Sequence, residues 1–173
     1  MLIKAIFRIR DDQRLKVRGD DTHTKMEKLG QTCRHNFTIT HNSVDEFKYL
    51  ANCSYIDGYV RIYNLELDDA DTLNSVSFPK LIEISDYLLI YRVLKATTLE
   101  KWFPNLRYIR GRRLFFGYAL VINGLPEVQR LGFDSLEHIK GAVRIEMVDK
   151  LCISRYARDY RTIAKAMFSE CCY

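Results

Sequence analysis

Three stretches of the chain share one internal spacing: Phe78-x-x-Leu81-x-x-Ile84, Phe103-x-x-Leu106-x-x-Ile109 and Phe133-x-x-Leu136-x-x-Ile139. The Phe-to-Phe steps are 25 and 30 residues. A motif repeating at that period leaves room for one or two short strands per unit. It marks a solenoid, in which each coil buries its apolar side chains by stacking on its neighbours. Two residues after each Ile stands a turn-prone residue, Asp86, Gly111 or Gly141. A β-rich run follows each: Tyr87-Leu88-Leu89-Ile90, Leu114-Phe115-Phe116 and Ala142-Val143-Arg144-Ile145. A partial earlier copy fits the same frame with Ile56, Gly58 and Val60-Arg61-Ile62-Tyr63. The expectation is a mainly β fold with strands in successive coils and the nine motif positions in the core.

Side chains alternate across a strand, so Val60, Ile62, Leu88 and Ile90 are expected to point inward and Arg61, Tyr63, Leu89 and Tyr91 outward. Phe115 or Phe116, Tyr118 and Val121 extend that outer surface into an apolar, aromatic sheet face, which marks a protein-binding site. The ends differ. After Cys152, Tyr156, Tyr160, Ile163 and Met167 recur at helical spacing, predicting an amphipathic helix that caps the last coil. Residues 1–30 mix charges of both signs without a period and read as a mobile leader, leaving 31–173 as one domain.

A net charge of +5, with both signs spread along the chain, does not specify nucleic acid. No stretch reaches the roughly 20 apolar residues of a membrane span. Lys4 and Arg8 cut the N-terminal apolar run before it forms a secretory core, so the chain as given shows no export address. Cysteine usage points to an oxidising compartment all the same. Cys33, Cys53, Cys152, Cys171 and Cys172 sit at the two ends of the main body, a stapling pattern unlike the close pairs of a zinc site. Asn36-Phe37-Thr38 and Asn52-Cys53-Ser54 are glycosylation acceptors in a secreted setting.

No motif calls for a cofactor. His23, His35, His41 and His138 belong to no metal-ligand or nucleophile pattern. The acidic run from Glu66 through Asp68 and Asp69 to Asp71 lacks the Gly and terminal Glu of a calcium loop and is expected to be a solvated loop between coils. Those carboxylates leave a β-helical enzyme acting on polysaccharide as a remote alternative. Arg110-Gly111-Arg112-Arg113 has no stacking aromatics along a groove and is expected to be a solvated turn.

Longer motifs lie between Cys53 and Cys152: Asn52-Cys53-Ser54-x-Ile56-x-Gly58, Ser77-Phe78-Pro79-Lys80-Leu81-Ile82, Phe103-Pro104-Asn105-Leu106 and Arg113-Leu114-Phe115-Phe116-x-Tyr118-Ala119-Leu120-Val121-Ile122. In these the sequence resembles the first receptor L domain of the insulin and insulin-like growth factor receptor family. The resemblance implies a right-handed β-helix, a leucine-rich-repeat-like solenoid capped by disulfides, whose second sheet forms part of a hormone-binding surface. The positions matching that surface are Tyr91, Phe115, Phe116, Tyr118, Val121, Arg144 and Glu146; with outward-facing Tyr63 they are the candidate ligand contacts. The pairing expected for the cysteines is Cys33 with Cys53, and Cys152 with Cys171 or Cys172, one cysteine being left over. The partners implied are an insulin-like peptide hormone and further receptor domains or a second receptor chain, outside the cell or at its surface. A free-standing secreted protein that binds such a peptide as decoy or carrier is the alternative. Neither reading makes this chain an enzyme.

The chain departs from that family at two places on the surface. Thr38-Ile39-Thr40-His41-Asn42 stands where the family carries Asp-Ile-Arg-Asn, so the five-donor arginine fork is missing there. Asn123-Gly124 replaces a Phe-Glu pair with turn-forming residues of small contact area. At the C-terminal end, Tyr160 stands where the family carries Trp, and Cys152 and Cys171 are 19 residues apart, which implies a shortened cap.

Overall fold

A computed structural model describes residues 5–7, 30–66 and 70–151, with backbone alone for 5–7 and 70. The predicted C-terminal helix and most of the predicted leader lie outside the described residues, as do Cys152, Cys171 and Cys172.

The chain alternates between two sheets. β2 (Thr32–Cys33), β4 (Tyr55–Ile56), β6 (Glu83–Ile84), β8 (Tyr108–Ile109) and β10 (His138–Ile139) make the smaller one. β3 (Phe37–Ile39), β5 (Val60–Leu65), β7 (Leu88–Val93), β9 (Tyr118–Asn123) and β11 (Ala142–Glu146) make the larger one. Within both, neighbours are parallel and follow chain order. β1 (Ala5–Phe7) adds to the larger sheet antiparallel to β11. Helices α1 (Glu46–Leu50) and α2 (Ala70–Ser75) occupy connections in the first two coils.

Register explains the core. Val60, Leu88 and Leu120 form one inward rung, and Ile62, Ile90 and Ile122 the next. Facing them, Ile56, Ile84, Ile109 and Ile139 line the inner side of the smaller sheet. Phe78, Phe103 and Phe133 stack at the coil corners with ring centroids 5.3 and 5.6 Å apart. Eight of the nine motif positions are buried, and Leu136 is partly buried against the same cluster. Each such side chain contributes about 1.5–3 kcal/mol when fully buried. Trp102, fully buried, donates its indole N–H to the Leu73 carbonyl at 3.0 Å, tying α2 to the next coil.

The strand expected at Leu114-Phe115-Phe116 is not one of the coil strands. Phe115 and Tyr118 exchange two 2.9 Å backbone hydrogen bonds across a tight turn, with Phe116 and Gly117 at positive φ. The coil strand therefore starts later, at Tyr118, and Phe116 is thrown outward. The acidic run differs as well: Asp71 lies in the first turn of α2, where a carboxylate complements the helix dipole. Asp68 and Asp69 fall outside the described residues. The arginine cluster is more than a solvated turn. Arg110, Arg112 and Arg113 pair with Glu83, Asp57 and Asp86, carboxylates of preceding coils.

Candidate functional site: an aromatic concavity on the larger sheet

Outward positions of the larger sheet fall into two rungs. One runs Thr38, Arg61, Leu89, Val121, Arg144, and the other Tyr63, Tyr91, Asn123, Glu146. Leu89 and Val121 are only 8% and 5% exposed because Tyr59, Tyr87, Phe115 and Tyr118 pack around them in a second apolar cluster outside the main core. They form a floor, and the aromatic residues form walls. Tyr59 and Tyr87 stack at 5.0 Å, Phe115 continues the row 5.7 Å from Tyr87, and Phe116 meets Phe115 edge-on at 4.9 Å. Phe116 is 86% exposed at the rim.

Two guanidinium groups share this surface in different states. That of Arg144 lies 2.8 Å from Glu146, which also accepts a hydrogen bond from Asn123; the Arg144 Nε–H is buried without a partner. Arg61 lies over the Tyr59 ring at 4.3 Å and within 6 Å of Tyr87 and Phe115, and its Nε donates to the Tyr87 hydroxyl at 2.7 Å. No carboxylate pairs with it among the described residues. Burial pushes the Tyr87 phenol above its ordinary range, against the opposing pull of the Arg61 hydrogen bond.

Arg61, Leu89, Phe115, Phe116, Tyr118, Val121 and Arg144 line an open concavity of about 530 Å³, while Tyr59 and Tyr87 pack against Arg61 and Phe115 outside its lining. Of the eight predicted contacts, Tyr63, Tyr91, Phe115, Phe116, Tyr118, Val121 and Arg144 line it, while Glu146 stands behind as the partner of Arg144. Sequence reasoning placed Arg61 and Leu89 on the outer face without assigning them to the site, set Asn123 aside as a departure of small contact area, and overlooked Asn64; all four line it. The alternation of β5 and β7 carried the signal for the first two. An apolar floor with aromatic walls and fixed polar groups suits a partly apolar peptide surface better than a small polar substrate.

The remaining candidates lie elsewhere. Cys33 and Cys53 are disulfide-bonded. Asn36 is exposed, and its side-chain oxygen accepts from the Tyr59 backbone N–H and from Arg113. Asn52 is exposed at the end of α1 and donates to the Lys48 carbonyl. His35, His41 and His138 are exposed; His23 lies outside the described residues. Among the described residues no group of three or more His, Cys, Asp or Glu is placed to hold a metal ion, and no helix is long and apolar enough to cross a membrane.

The described fold is two sheets of parallel coil strands, the larger presenting an aromatic, cation-bearing outer face. Residues 52–164 match the receptor L domain family. The chain is 43% identical over 112 residues to the insulin-like peptide receptor of Branchiostoma lanceolatum, 47% over 115 to the insulin-like receptor of Drosophila melanogaster, and 42% over 123 to the insulin-like growth factor 1 receptor of Xenopus laevis. Those alignments cover 64%, 66% and 70% of this chain but only 8%, 5% and 9% of the three receptors. The chain belongs to the receptor L domain family, as an L domain of the insulin receptor kind.

Proposed function

We propose that this L domain acts outside the cell, binding an insulin-like peptide hormone through the concavity of the larger sheet as part of a longer receptor. The observation that carries the reading is the convergence of side chains from four successive coils on one open surface with an apolar floor. Family membership supports it, the matched relatives being receptors. On the same reading the two sheets are faces of a right-handed β-helix, the domain occupies 31–173, and Cys152 pairs with Cys171.

The hormone seats an apolar patch on Leu89 and Val121, between Phe115 and Tyr118 and the Tyr63 and Tyr91 rings. Arg61, which pairs with no carboxylate among the described residues, meets an acidic group of the ligand. Arg144, already paired, holds the far side in shape. Replacing Phe115 and Tyr118 together by alanine removes two walls without touching the main core. A panel of insulin-like peptides in a surface-binding assay should then bind at least ~30-fold more weakly, the scale of losing a hot spot of about 2 kcal/mol. Unchanged affinity with an intact circular dichroism spectrum would sink the assigned face.

A further inference from the structure

Parallel neighbours run from β3 to β11 in the larger sheet, and β11 would be its open edge but for the strand β1. Glu146 gives its carbonyl to the Gly124 N–H at 3.2 Å, so Arg144 and Glu146 turn their backbone groups toward β9. Alternation then leaves the N–H and C=O of Val143 and Ile145 turned to the outer side, where the register sets Phe7 opposite Val143 and Ala5 opposite Ile145. Ile6 stands opposite Arg144, in the pair whose backbone groups point away from each other. An edge of this kind is a template for pairing with another strand. β11 has more need of such a partner than β5, β7 or β9, because all of its residues are only half-buried whereas each of the others has buried positions.

We propose that the outer edge of β11 is a strand-docking site for the chain's own N-terminal segment, which closes the sheet beside the candidate hormone face and holds the Arg144–Glu146 end of that face in register. Sequence and length both fit this occupant. Ile6 and Phe7 are strand-favouring residues, and in the observed register the Phe7–Val143 and Ala5–Ile145 pairs can each exchange main-chain hydrogen bonds in both directions. The 22 residues between Phe7 and Gly30 can extend to about 70–80 Å. Four strand spacings, from β11 back to the first coil, are only about 19 Å. One molecule can therefore supply both partners. The outward rung of Arg61, Leu89, Val121 and Arg144 gains Ile6 as its next register position. That consequence for the ligand face rests on the hormone reading above; the docking itself does not.

The test follows backbone amide exchange, without hormone, in the full chain and in proline variants. Ala5→Pro/Phe7→Pro removes both N–H groups that face β11. Ile6→Pro removes one that points away from it, a position where an edge strand tolerates proline. Phe7→Pro alone repeats the comparison should the double variant fold poorly. The expected result is exchange at Val143 and Ile145 at least ~10-fold faster in the double variant than in the wild type, and close to wild type in Ile6→Pro. Ile62 and Ile90, buried in the sheet interior, should exchange alike in all of these proteins and report that each is folded. Equal exchange at Val143 and Ile145 in the wild type and the double variant overturns the docking site. So does a loss in Ile6→Pro as large as in the double variant, which would contradict the register. Sedimentation of the wild type decides whose strand it is: a monomer is expected, and a species of twice the mass that loses this protection on dilution would assign the strand to a second copy and overturn the proposal. No hormone enters these measurements, so this reading and that of the aromatic face fail separately.

Discussion

At the scale of single residues, the pair Arg61 and Tyr87 sets the character of the candidate site. A guanidinium over an aromatic face gains up to about 2 kcal/mol when partly desolvated, and here three rings share one cation. Arg61→Ala is therefore expected to loosen the Tyr59–Tyr87 stack as well as remove a charge, lowering hormone affinity more than Arg61→Lys; equal affinities for the two variants in the binding assay would contradict this. Tyr87 makes a pH prediction. Its folded pKa is raised above the ordinary value of 10.0. A group with a raised folded pKa contributes stability that is complete below the unfolded value and is lost as pH climbs through the folded one. Urea midpoints should thus fall between neutral pH and pH above ~10 by more in the wild type than in Tyr87→Phe. An equal alkaline loss in both would rule the effect out. Strand alternation made the outward direction of Arg61 legible in the sequence. Its ring partners were not legible as a set, because Tyr59, Tyr87 and Phe115 come from three coils and meet only through register.

At the scale of elements, turns decide where strands begin. Gly111 has φ of +59°, and a Cβ there would sit 1.7 Å from the Lys140 carbonyl oxygen of the next coil. Gly117 has φ of +87° with nothing near the position of its missing Cβ. Alanine at Gly117 is expected to cost about 1–2 kcal/mol, the backbone term alone. Alanine at Gly111 adds a clash with main chain and is expected to cost more than about 3 kcal/mol or prevent folding. Denaturant midpoints of the two variants check this, and similar losses would mean that the coils slide apart more easily than their packing implies. The two glycines also show why the repeat was legible and the start of β9 was not. Phe, Leu and Ile at fixed spacing report burial directly, whereas the excursion from Leu114 to Gly117 inserts extra residues whose apolar character mimics a strand. Leu114 and Phe116 are exposed, so hydrophobicity alone misleads at this turn.

At the scale of the whole molecule, the Cys33–Cys53 disulfide and a ladder of cross-coil ion pairs hold the described residues in a stack whose stability is close to a sum of neighbour contacts. The Cys33–Cys53 bond closes a loop with a sequence separation of 20 residues at the first coil. Its removal in Cys33→Ala/Cys53→Ala should cost about 3 kcal/mol by the chain-entropy estimate. A calorimetric loss near zero would show that the first coil is held by packing alone. The repeat announced stacked coils and alternation announced an aromatic side, but the concavity depends on Leu89 and Val121 being sunk beneath rings from neighbouring coils. The central claim is that the hormone sits on this face. A photo-crosslinking residue at Phe116, on its rim, tests it most directly, with the same residue at Tyr55 on the smaller sheet as comparison. Covalent capture of an insulin-like peptide from position 116 and none from position 55 is the predicted result; capture from 55 alone, or from neither, would contradict the account.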